Sequence, residues 1–229
     1  MKALAIDSAT TKLTLAAKND DKIVTASFDI GMKQSETLLP GIQYVLEKAE
    51  LTPSDLDYTV ISEGPGSFTG LRLGFSALKA FQVANKTPIY GICTLDAYAN
   101  PFLNFGKTVI SVIDAKKERF YAKGFSKDGN VIFDAGDYEP EKIIDFIKNE
   151  SEVFVAGFDA EVFIDASSAL VSEKKIPLKF NFIKLSPNPT DSLFLLAENK
   201  IKNGEPALKD FDGPVYLRAS EAEVKAGQN

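Results

Sequence analysis

Two aspartates at the ends of apolar runs are the residues of this chain best placed for metal or nucleotide chemistry. Asp7 lies in the segment A-I-D-S-A-T and Asp114 lies in V-I-D-A-K-K. Carboxylates can hold Mg²⁺, and the loop after Asp7 has backbone amides and hydroxyls that could contact phosphates. The loop after Asp114 is a poor match, because it has no glycine that would let backbone amides approach a phosphate. A nucleotide site therefore stays open beside a simpler interpretation, in which Asp7 bonds to its own turn.

A glycine-rich stretch at residues 63–75, E-G-P-G-S-F-T-G-L-R-L-G-F, is the second candidate. Its segment Gly64-Pro65-Gly66 predicts a turn after an apolar strand. Ser67 is a suitable N-cap for the helix that follows. Gly70 and Gly74 lie on one face of that helix, and each costs about 1 kcal/mol relative to Ala. We therefore expect something to press closely against this face.

Three different groups could occupy the glycine face. A phosphate could bind the helix N-terminus at Ser67, but the stretch lacks the lysine of G-x-x-x-x-G-K-[ST] and does not match G-x-G-x-x-G. A strand of the same fold could pack there. A helix of another protein could also approach, with Leu71, Phe75 and Leu78 beside the glycines. From the residues alone we favour the partner helix.

The composition excludes several function classes. The 229-residue chain has no histidine, which leaves carboxylates and one thiol for metal or acid-base roles. Its formal net charge of -6 argues against a large basic face for nucleic acid. The single cysteine, Cys93, fits a reducing compartment. We find no run of about 18 apolar residues, and Asp7 comes too early for the apolar core of a secretory signal. We therefore expect a cytoplasmic protein without membrane association.

The order of the predicted elements repeats along the chain. Two consecutive β-β-β-α-β-α units predict an α/β fold of duplicated ribonuclease H-like lobes, as in actin, the Hsp70 ATPase and sugar kinases. The predicted strands are residues 2–7, 12–18, 22–30, 58–62, 88–92, 108–114, 119–126, 131–134 and 153–156, and the predicted helices are residues 35–49, 67–85, 94–100, 140–149, 160–173 and 191–202.

We place the N-terminal lobe at residues 1–105 and the C-terminal lobe at residues 106–229, with the last helix and tail able to return to the first lobe. Asp7 and Asp114 each close the first strand of a lobe and would face the cleft between the lobes. In metal-dependent members of this fold group, two histidines spaced H-x-x-x-H bind iron or zinc. Gln34 and Leu38 stand at those positions here, so we exclude an iron-dependent or metalloprotease-like role.

Five segments together resemble the bacterial TsaB (YeaZ) family, whose members are subunits of the machinery that makes threonylcarbamoyladenosine in tRNA. Two departures stand out: Gln34 replaces a histidine that is common in the family, and Arg119 replaces a usual glutamate, which leaves the role of that hairpin open. The segments are A-I-D-S-A-T at 5–10, K-Q-S-E-T-L-L-P at 33–40, G-P-G-S-F-T-G-L-R-L-G at 64–74, D-A-K-K-E-R-F-Y at 114–121 and P-V-Y-L-R at 214–218.

The resemblance implies a non-catalytic paralogue of the TsaD transferase, with no cofactor or metal of its own. Members of the family pair with TsaD through the first two helices, are joined by the ATPase TsaE, and form homodimers through the same surface when alone. They would contact tRNA only indirectly. An ATP-dependent kinase or ATPase of the same fold is the alternative. Carried onto this chain, the implied interface is Glu36, Leu39, Gln43, Gly70, Arg72, Gly74, Phe75 and Leu78, and the candidate anion or cleft residues are Asp7, Ser67 and Asp114.

Overall fold

The computed structural model describes residues 1–31, 33–183 and 188–218. Their contacts divide the chain into two compact units. Unit 1 comprises Met1–Ala97 and Asn188–Val215, and unit 2 comprises Tyr98–Pro187 together with the chain from Tyr216 onward. The last helix is therefore part of unit 1. The part of the predicted C-terminal lobe at 219–229 lies outside the described residues.

The helices and strands follow the predicted order with small shifts at their ends. Short 3₁₀ turns at Pro53–Asp55 and Asn100–Phe102 connect neighbouring elements. The strands are β1 (Lys2–Asp7), β2 (Lys12–Asn19), β3 (Lys22–Asp29), β4 (Tyr58–Gly64), β5 (Ile89–Cys93), β6 (Thr108–Asp114), β7 (Phe120–Phe125), β8 (Val131–Tyr138), β9 (Glu152–Ala156) and β10 (Lys179–Asn181), and the helices are α1 (Gln34–Lys48), α2 (Phe68–Asn85), α3 (Thr94–Ala99), α4 (Pro140–Ile147), α5 (Ala160–Glu173) and α6 (Pro189–Lys202).

Unit 1 is built on a five-stranded mixed sheet in the order β3-β2-β1-β4-β5. The hairpin strands β1, β2 and β3 are antiparallel, whereas β4 and β5 run parallel to β1. Five of the six residues of β1 are buried, because helices cover both faces of the sheet at its centre. The edge strand β3 alternates exposed and half-buried residues, as expected for a strand with one wet face.

The helices of unit 1 pack on that sheet through apolar stripes. α1 contributes Leu38, Ile42 and Val45 to a core that also contains Phe75 and Leu78 of α2. α6 buries Leu193, Phe194 and Ala197 and contacts β1, β2, β4 and β5. Ser67 accepts a hydrogen bond from the amide of Gly70, which confirms the predicted N-cap of α2.

Unit 2 repeats this arrangement in the order β10-β9-β6-β7-β8. β6 is antiparallel to β7 and parallel to β9, as β1 is to β2 and β4. The same strand order in both units confirms the duplicated ribonuclease H-like, actin-like α/β fold. Two details were missed. β10 has only three residues, too few for a periodic signal, and β8 continues to Tyr138 although Gly136 interrupts its pattern.

Candidate functional site

The glycine turn before α2 is held by two other parts of unit 1. Gly64 has a φ of 125°, and a Cβ there would lie 2.2 Å from the carbonyl oxygen of Val215. A Cβ on Gly66 would lie 2.4 Å from the carbonyl oxygen of Ala9, which also accepts a hydrogen bond from the amide of Ser67 at 2.6 Å. Only glycine fits this close backbone approach. The turn is therefore part of the internal packing of unit 1.

Two backbone amides at the start of α2 already donate hydrogen bonds within the protein. The Ser67 amide donates to Ala9, and the Gly70 amide donates to Oγ of Ser67 at 3.3 Å. Ser67 and Phe68 are half-buried and Thr69 is exposed. An anion at this terminus would meet a smaller set of free amides than an uncovered helix start offers.

Gly70 and Gly74, the two glycines in the first turns of α2, face the interior of unit 1. A Cβ on Gly70 would lie 2.1 Å from the carbonyl oxygen of Ser8, and a Cβ on Gly74 would lie 2.9 Å from the side chain of Ile61. Ser8 Oγ also donates a 2.8 Å hydrogen bond to the Gly70 carbonyl oxygen. The occupant of the glycine face is therefore the chain's own sheet, and the preference for a partner helix on this face was wrong.

The eight predicted interface residues divide into a buried and an exposed set. Gly70, Gly74, Phe75 and Leu78 are buried, with Phe75 only 4% exposed and Leu78 fully covered. They pack in the core of unit 1, so these four cannot be surface contacts in this structure. The exposed set is Glu36, Leu39, Gln43 and Arg72.

The exposed set forms part of one face across the adjacent helices α1 and α2. Leu39 is 64% exposed, Tyr44 is 51% exposed and Val83 is 74% exposed. The guanidinium of Arg72 lies 3.8 Å from the centre of the Phe68 ring, a stacking that restricts the arginine. We call this surface the α1–α2 face; its exposed members are Glu36, Leu39, Pro40, Gln43, Tyr44, Arg72, Ser76, Ala80 and Val83.

Sequence reasoning named Arg72 but missed the other outer residues of α2, which are Ser76, Ala80 and Val83. The positions 72, 76, 80 and 83 recur at the spacing of one helix face. The small or apolar side chains of Ser76, Ala80 and Val83 at this spacing are a usable signal. The four-residue spacing of Gly70 and Gly74 on the opposite face is the stronger local pattern.

Gln34, at the position of the family's common histidine, is a buried structural residue. Its Nε2 donates a 2.7 Å hydrogen bond to the carbonyl oxygen of Thr10, and the side chain is 5% exposed. Its Oε1 has no hydrogen-bond partner and would lie 3.0 Å from a Cβ on Gly70. Gln34 thus joins the start of α1 to the β1–β2 loop and to α2.

Asp7 is fully buried, and its Oδ1 accepts a hydrogen bond from the Ala9 amide at 3.2 Å. This contact agrees with the simpler interpretation of a strand-end aspartate that bonds its own turn. Asp114 accepts hydrogen bonds from the backbone amide of Lys116 and from its ammonium group. Both carboxylates therefore have contacts with their own loops.

The loop between β6 and β7 has an unusual backbone. Lys116, Lys117 and Glu118 have φ values of 61°, 56° and 59°. Left-handed backbone costs a non-glycine residue roughly 1–2 kcal/mol. The Asp114 amide donates to Oδ2 of Asp159 at 2.9 Å, and burial raises the pKa of Asp159 above its usual value although this bond opposes the shift. The loop is thus tied to the start of α5.

Arg119, the second position at which this chain differs from the family pattern, is bound at the base of the same loop. Its Nε donates to Oδ1 of Asp137 at 2.9 Å, and its NH1 donates to Glu139 at 2.8 Å. Nε of Arg218 donates to the other oxygen of Asp137 at 2.8 Å, and NH1 of Arg218 donates to the carbonyl oxygen of Ala115. One carboxylate therefore joins both arginines, so Arg119 has a structural role within unit 2.

A cavity of about 290 Å³ lies in unit 1 beside β5 and α6. Burial raises the pKa of the Glu63 carboxyl, and the nearby Lys200 ammonium opposes this shift. Nζ of Lys200 donates to the carbonyl oxygen of Gly91 at 3.1 Å. Across residues 1–31, 33–183 and 188–218, no group of three or more acidic or cysteine side chains is arranged to hold a metal ion. The cavity lining is Glu63, Ile92, Cys93, Asp96, Leu196, Asn199, Lys200 and Glu205.

Comparison with known proteins identifies the family. The model described as "TsaD: tRNA N6-adenosine threonylcarbamoyltransferase" matches residues 31–225. The tRNA threonylcarbamoyladenosine biosynthesis protein TsaB of Escherichia coli is 30% identical over 232 residues, which cover 97% of this chain and 96% of that protein. The Bacillus subtilis protein of the same name is 23% identical over 98% of this chain and 97% of its own length.

A solved structure has the same fold. YeaZ from Pseudomonas aeruginosa superposes with a TM-score of 0.73 and 21% identity, over 94% of this chain and 99% of that one. In the part of the chain that the structure describes, the helices are too short or too polar to cross a membrane. The near-complete coverage by TsaB proteins and the match to the TsaD model lead to one conclusion: the chain belongs to the TsaB (YeaZ) family, within the wider group that the TsaD model describes.

Proposed function

We propose that this protein is a non-catalytic scaffold subunit in the synthesis of threonylcarbamoyladenosine in tRNA, and that it binds a TsaD-type catalytic paralogue through the α1–α2 face. The names of its TsaB relatives support the pathway. The observation that carries the binding role is an exposed surface with apolar members on two adjacent helices, α1 and α2, of unit 1.

The α1–α2 face suits a protein partner for a physical reason. Leu39, Tyr44 and Val83 are each more than half exposed, and an apolar patch with a polar rim is the usual sign of a protein contact. Ser76 and Ala80 leave room for a partner helix to come close to α2. Glu36, Gln43 and Arg72 provide the polar rim of the face.

The chemistry that the chain lacks supports a scaffold role over catalysis in this proposal. It has no histidine for a metal site of the H-x-x-x-H kind. Asp7 is buried in a contact with its own loop, and Asp114 bonds Lys116. In this proposal a TsaE-type ATPase joins the pair, the chain forms a homodimer through the same face when alone, and tRNA is contacted mainly by the catalytic partner in the cytoplasm.

Replacing Leu39 with arginine tests the binding role. A charged side chain in the centre of an apolar contact must be desolvated without a partner, so Leu39→Arg should weaken binding to a purified TsaD-type paralogue at least about ten-fold. Isothermal calorimetry would give the dissociation constant. Val162→Arg is the matched control, because Val162 is 47% exposed on α5 of unit 2.

Unchanged affinity of Leu39→Arg would place the interface elsewhere. The kinase or ATPase alternative has its own test, which is calorimetry of the isolated chain with Mg-ATP. The scaffold proposal expects no tight binding. Micromolar affinity that is lost in Asp7→Asn would favour the enzyme, since a carboxylate would then be holding the metal nucleotide.

A further inference from the structure

Phe211 is an aromatic side chain that the fold leaves bare. Its side chain is fully exposed, at 102% of the reference value. It lies in a turn that two hydrogen bonds close: the Lys209 amide donates to Oδ2 of Asp212 at 2.7 Å, and the Asp212 amide donates to the Lys209 carbonyl oxygen at 3.1 Å. The ring is thus presented to solvent from a bonded turn.

The segment that carries the turn is fixed on both sides. We call residues 205–215 the strap. The Leu208 amide donates to the carbonyl oxygen of Ile89 at 2.8 Å, and the Val215 amide donates to that of Glu63 at 2.7 Å. Leu208 also packs against the core of unit 1. A turn held in this way loses little conformational freedom when it binds, which favours affinity.

The strap lies along α2 on the flank opposite α1. Nζ of Lys79 donates to the carbonyl oxygen of Lys209 at 2.7 Å, and Nε2 of Gln82 donates to that of Leu208 at 3.4 Å. At 100° per residue, Lys79 lies on the side of α2 opposite Gly70, and a Cβ on Gly70 would lie 3.0 Å from Oε1 of Gln34 in α1.

The outer residues of α2 therefore lie between α1 and the strap. On the same helical projection Arg72, Ser76 and Val83 point away from the sheet, and all three are exposed. Val83 is one turn from Lys79, which contacts the strap. The α1–α2 face therefore borders the strap that carries Phe211, and Asp210 and Asp212 flank Phe211 in the sequence.

We propose that the docking surface for the catalytic paralogue continues past α2 onto the strap, where Phe211 inserts into an apolar pocket of that partner. This inference rests on the proposed function. Asp210 and Asp212 carry negative charge beside the ring, so basic side chains are expected at the rim of the pocket. An aromatic residue on a fixed turn is a common form of binding hot spot.

The test compares Phe211→Ala with Phe105→Ala. Phe105 is 59% exposed in unit 2 and its ring meets Phe102 and Phe154 edge-on, so this variant controls for the loss of a surface aromatic ring on a different unit. We expect Phe211→Ala to raise the dissociation constant for the catalytic paralogue at least about ten-fold. Phe105→Ala should leave it unchanged. The melting temperature of Phe211→Ala should stay at the wild-type value, because the ring has no contacts to lose.

The outcomes separate the two proposals. If Leu39→Arg weakens binding and Phe211→Ala does not, the strap is outside the interface and this inference fails while the proposed function stands. If neither variant weakens binding, both fail. Sedimentation equilibrium of the isolated chain adds a third outcome. If Phe211→Ala reduces self-association but not partner binding, a second copy covers the ring, which also overturns the inference.

The charge of the turn gives an independent check. Asp210→Lys should weaken binding further as the salt concentration falls, because repulsion from a basic rim is least screened at low salt. Stronger binding of this variant at low salt would mean an acidic rim, and binding that does not depend on salt would mean an uncharged rim; either result would contradict the proposed chemistry of the pocket.

Discussion

At the scale of single residues, the glycines of α2 show how closely the helix approaches the sheet. The carbonyl oxygen of Ser8 occupies the space where a Cβ of Gly70 would lie, and the side chains of Ile6 and Ile61 surround Gly74. Ser8 in turn donates its hydroxyl hydrogen to the Gly70 carbonyl. The helix penalty of these glycines is offset by packing that no larger residue allows.

Gly70→Ala should destabilise the protein even though alanine favours helices. The gain of about 1 kcal/mol in helix propensity is opposed by a Cβ only 2.1 Å from a backbone oxygen, and overpacking of this kind typically costs about 1–3 kcal/mol. We expect a net loss in the free energy of unfolding measured with urea. Ser76→Ala, on the exposed face of the same helix, should change it by less than about 0.5 kcal/mol. Equal stability of Gly70→Ala and the wild type would show that the Ser8 loop can move.

Glu63 gives the protein a pH-dependent stability. Burial raises the pKa of its carboxyl above the ordinary value of 4.5, Asp96 and Asp212 raise it further, and Lys200 opposes the shift. The folded state therefore holds its proton to higher pH than the unfolded state does. Stability from this residue is present below the unfolded pKa and is lost as the pH rises through the folded pKa.

Replacing Glu63 with glutamine should remove the loss of stability that Glu63 causes as the pH rises. The free energy of unfolding of Glu63→Gln, relative to the wild type, should increase between about pH 4.5 and pH 7.5, since the variant has no buried charge to desolvate. Chemical denaturation at several pH values would measure the difference. Glu47→Gln, an exposed change on α1, controls for the loss of one negative charge. A difference that falls with pH would mean that attraction to Lys200 outweighs burial.

At the scale of elements, α2 packs against several parts of unit 1 and leaves one side exposed. Its glycine side packs on β1 and β4, one flank meets α1, and the other flank meets the strap. Four-residue spacing predicted correctly that Gly70 and Gly74 share a face. The spacing does not indicate which segment covers that face, because a strand of the same chain and a partner helix both require small residues there.

The last helix, α6, completes unit 1 through contacts between distant parts of the chain. It packs on β1, β2, β4 and β5, all of which end at or before Cys93, whereas α6 begins at Pro189. Glu198 pairs with Lys18 at 2.6 Å and accepts a hydrogen bond from the Tyr58 hydroxyl at 2.9 Å. The apolar stripe of α6 was visible in the sequence, but its sheet was not.

Leucines two positions apart on α6 test this packing. Leu193 is fully buried and Leu195 is 51% exposed. Leu193→Ala should lower the free energy of unfolding by about 2–5 kcal/mol, because it removes buried contacts and leaves a cavity. Leu195→Ala should change it by less than about 0.5 kcal/mol. Thermal and urea unfolding would compare the two, and similar losses would mean that α6 is not seated on the sheet in this register.

At the scale of the whole molecule, the same strand order occurs in both units, but the loops after their first strands differ. Both units have the same strand order around their first strand. The loop after β1 packs under α2. The loop after β6 contains three left-handed residues, and its ends are tied to Asp159 and to the arginine pair on Asp137. The two loops therefore diverged in structure although their strands did not.

The sequence by itself determined the element order, the duplicated α/β plan, the N-cap at Ser67 and the lack of histidine chemistry. These follow from periodicity, turn residues and composition, which are local or countable. Only the tertiary structure decided that Gly70 and Gly74 face the sheet, that Leu39 and Val83 face solvent, and that the strap carrying Phe211 is hydrogen-bonded to α2. The reason is that a local pattern specifies which side of a helix is apolar or small, but not which distant segment of the chain will cover it.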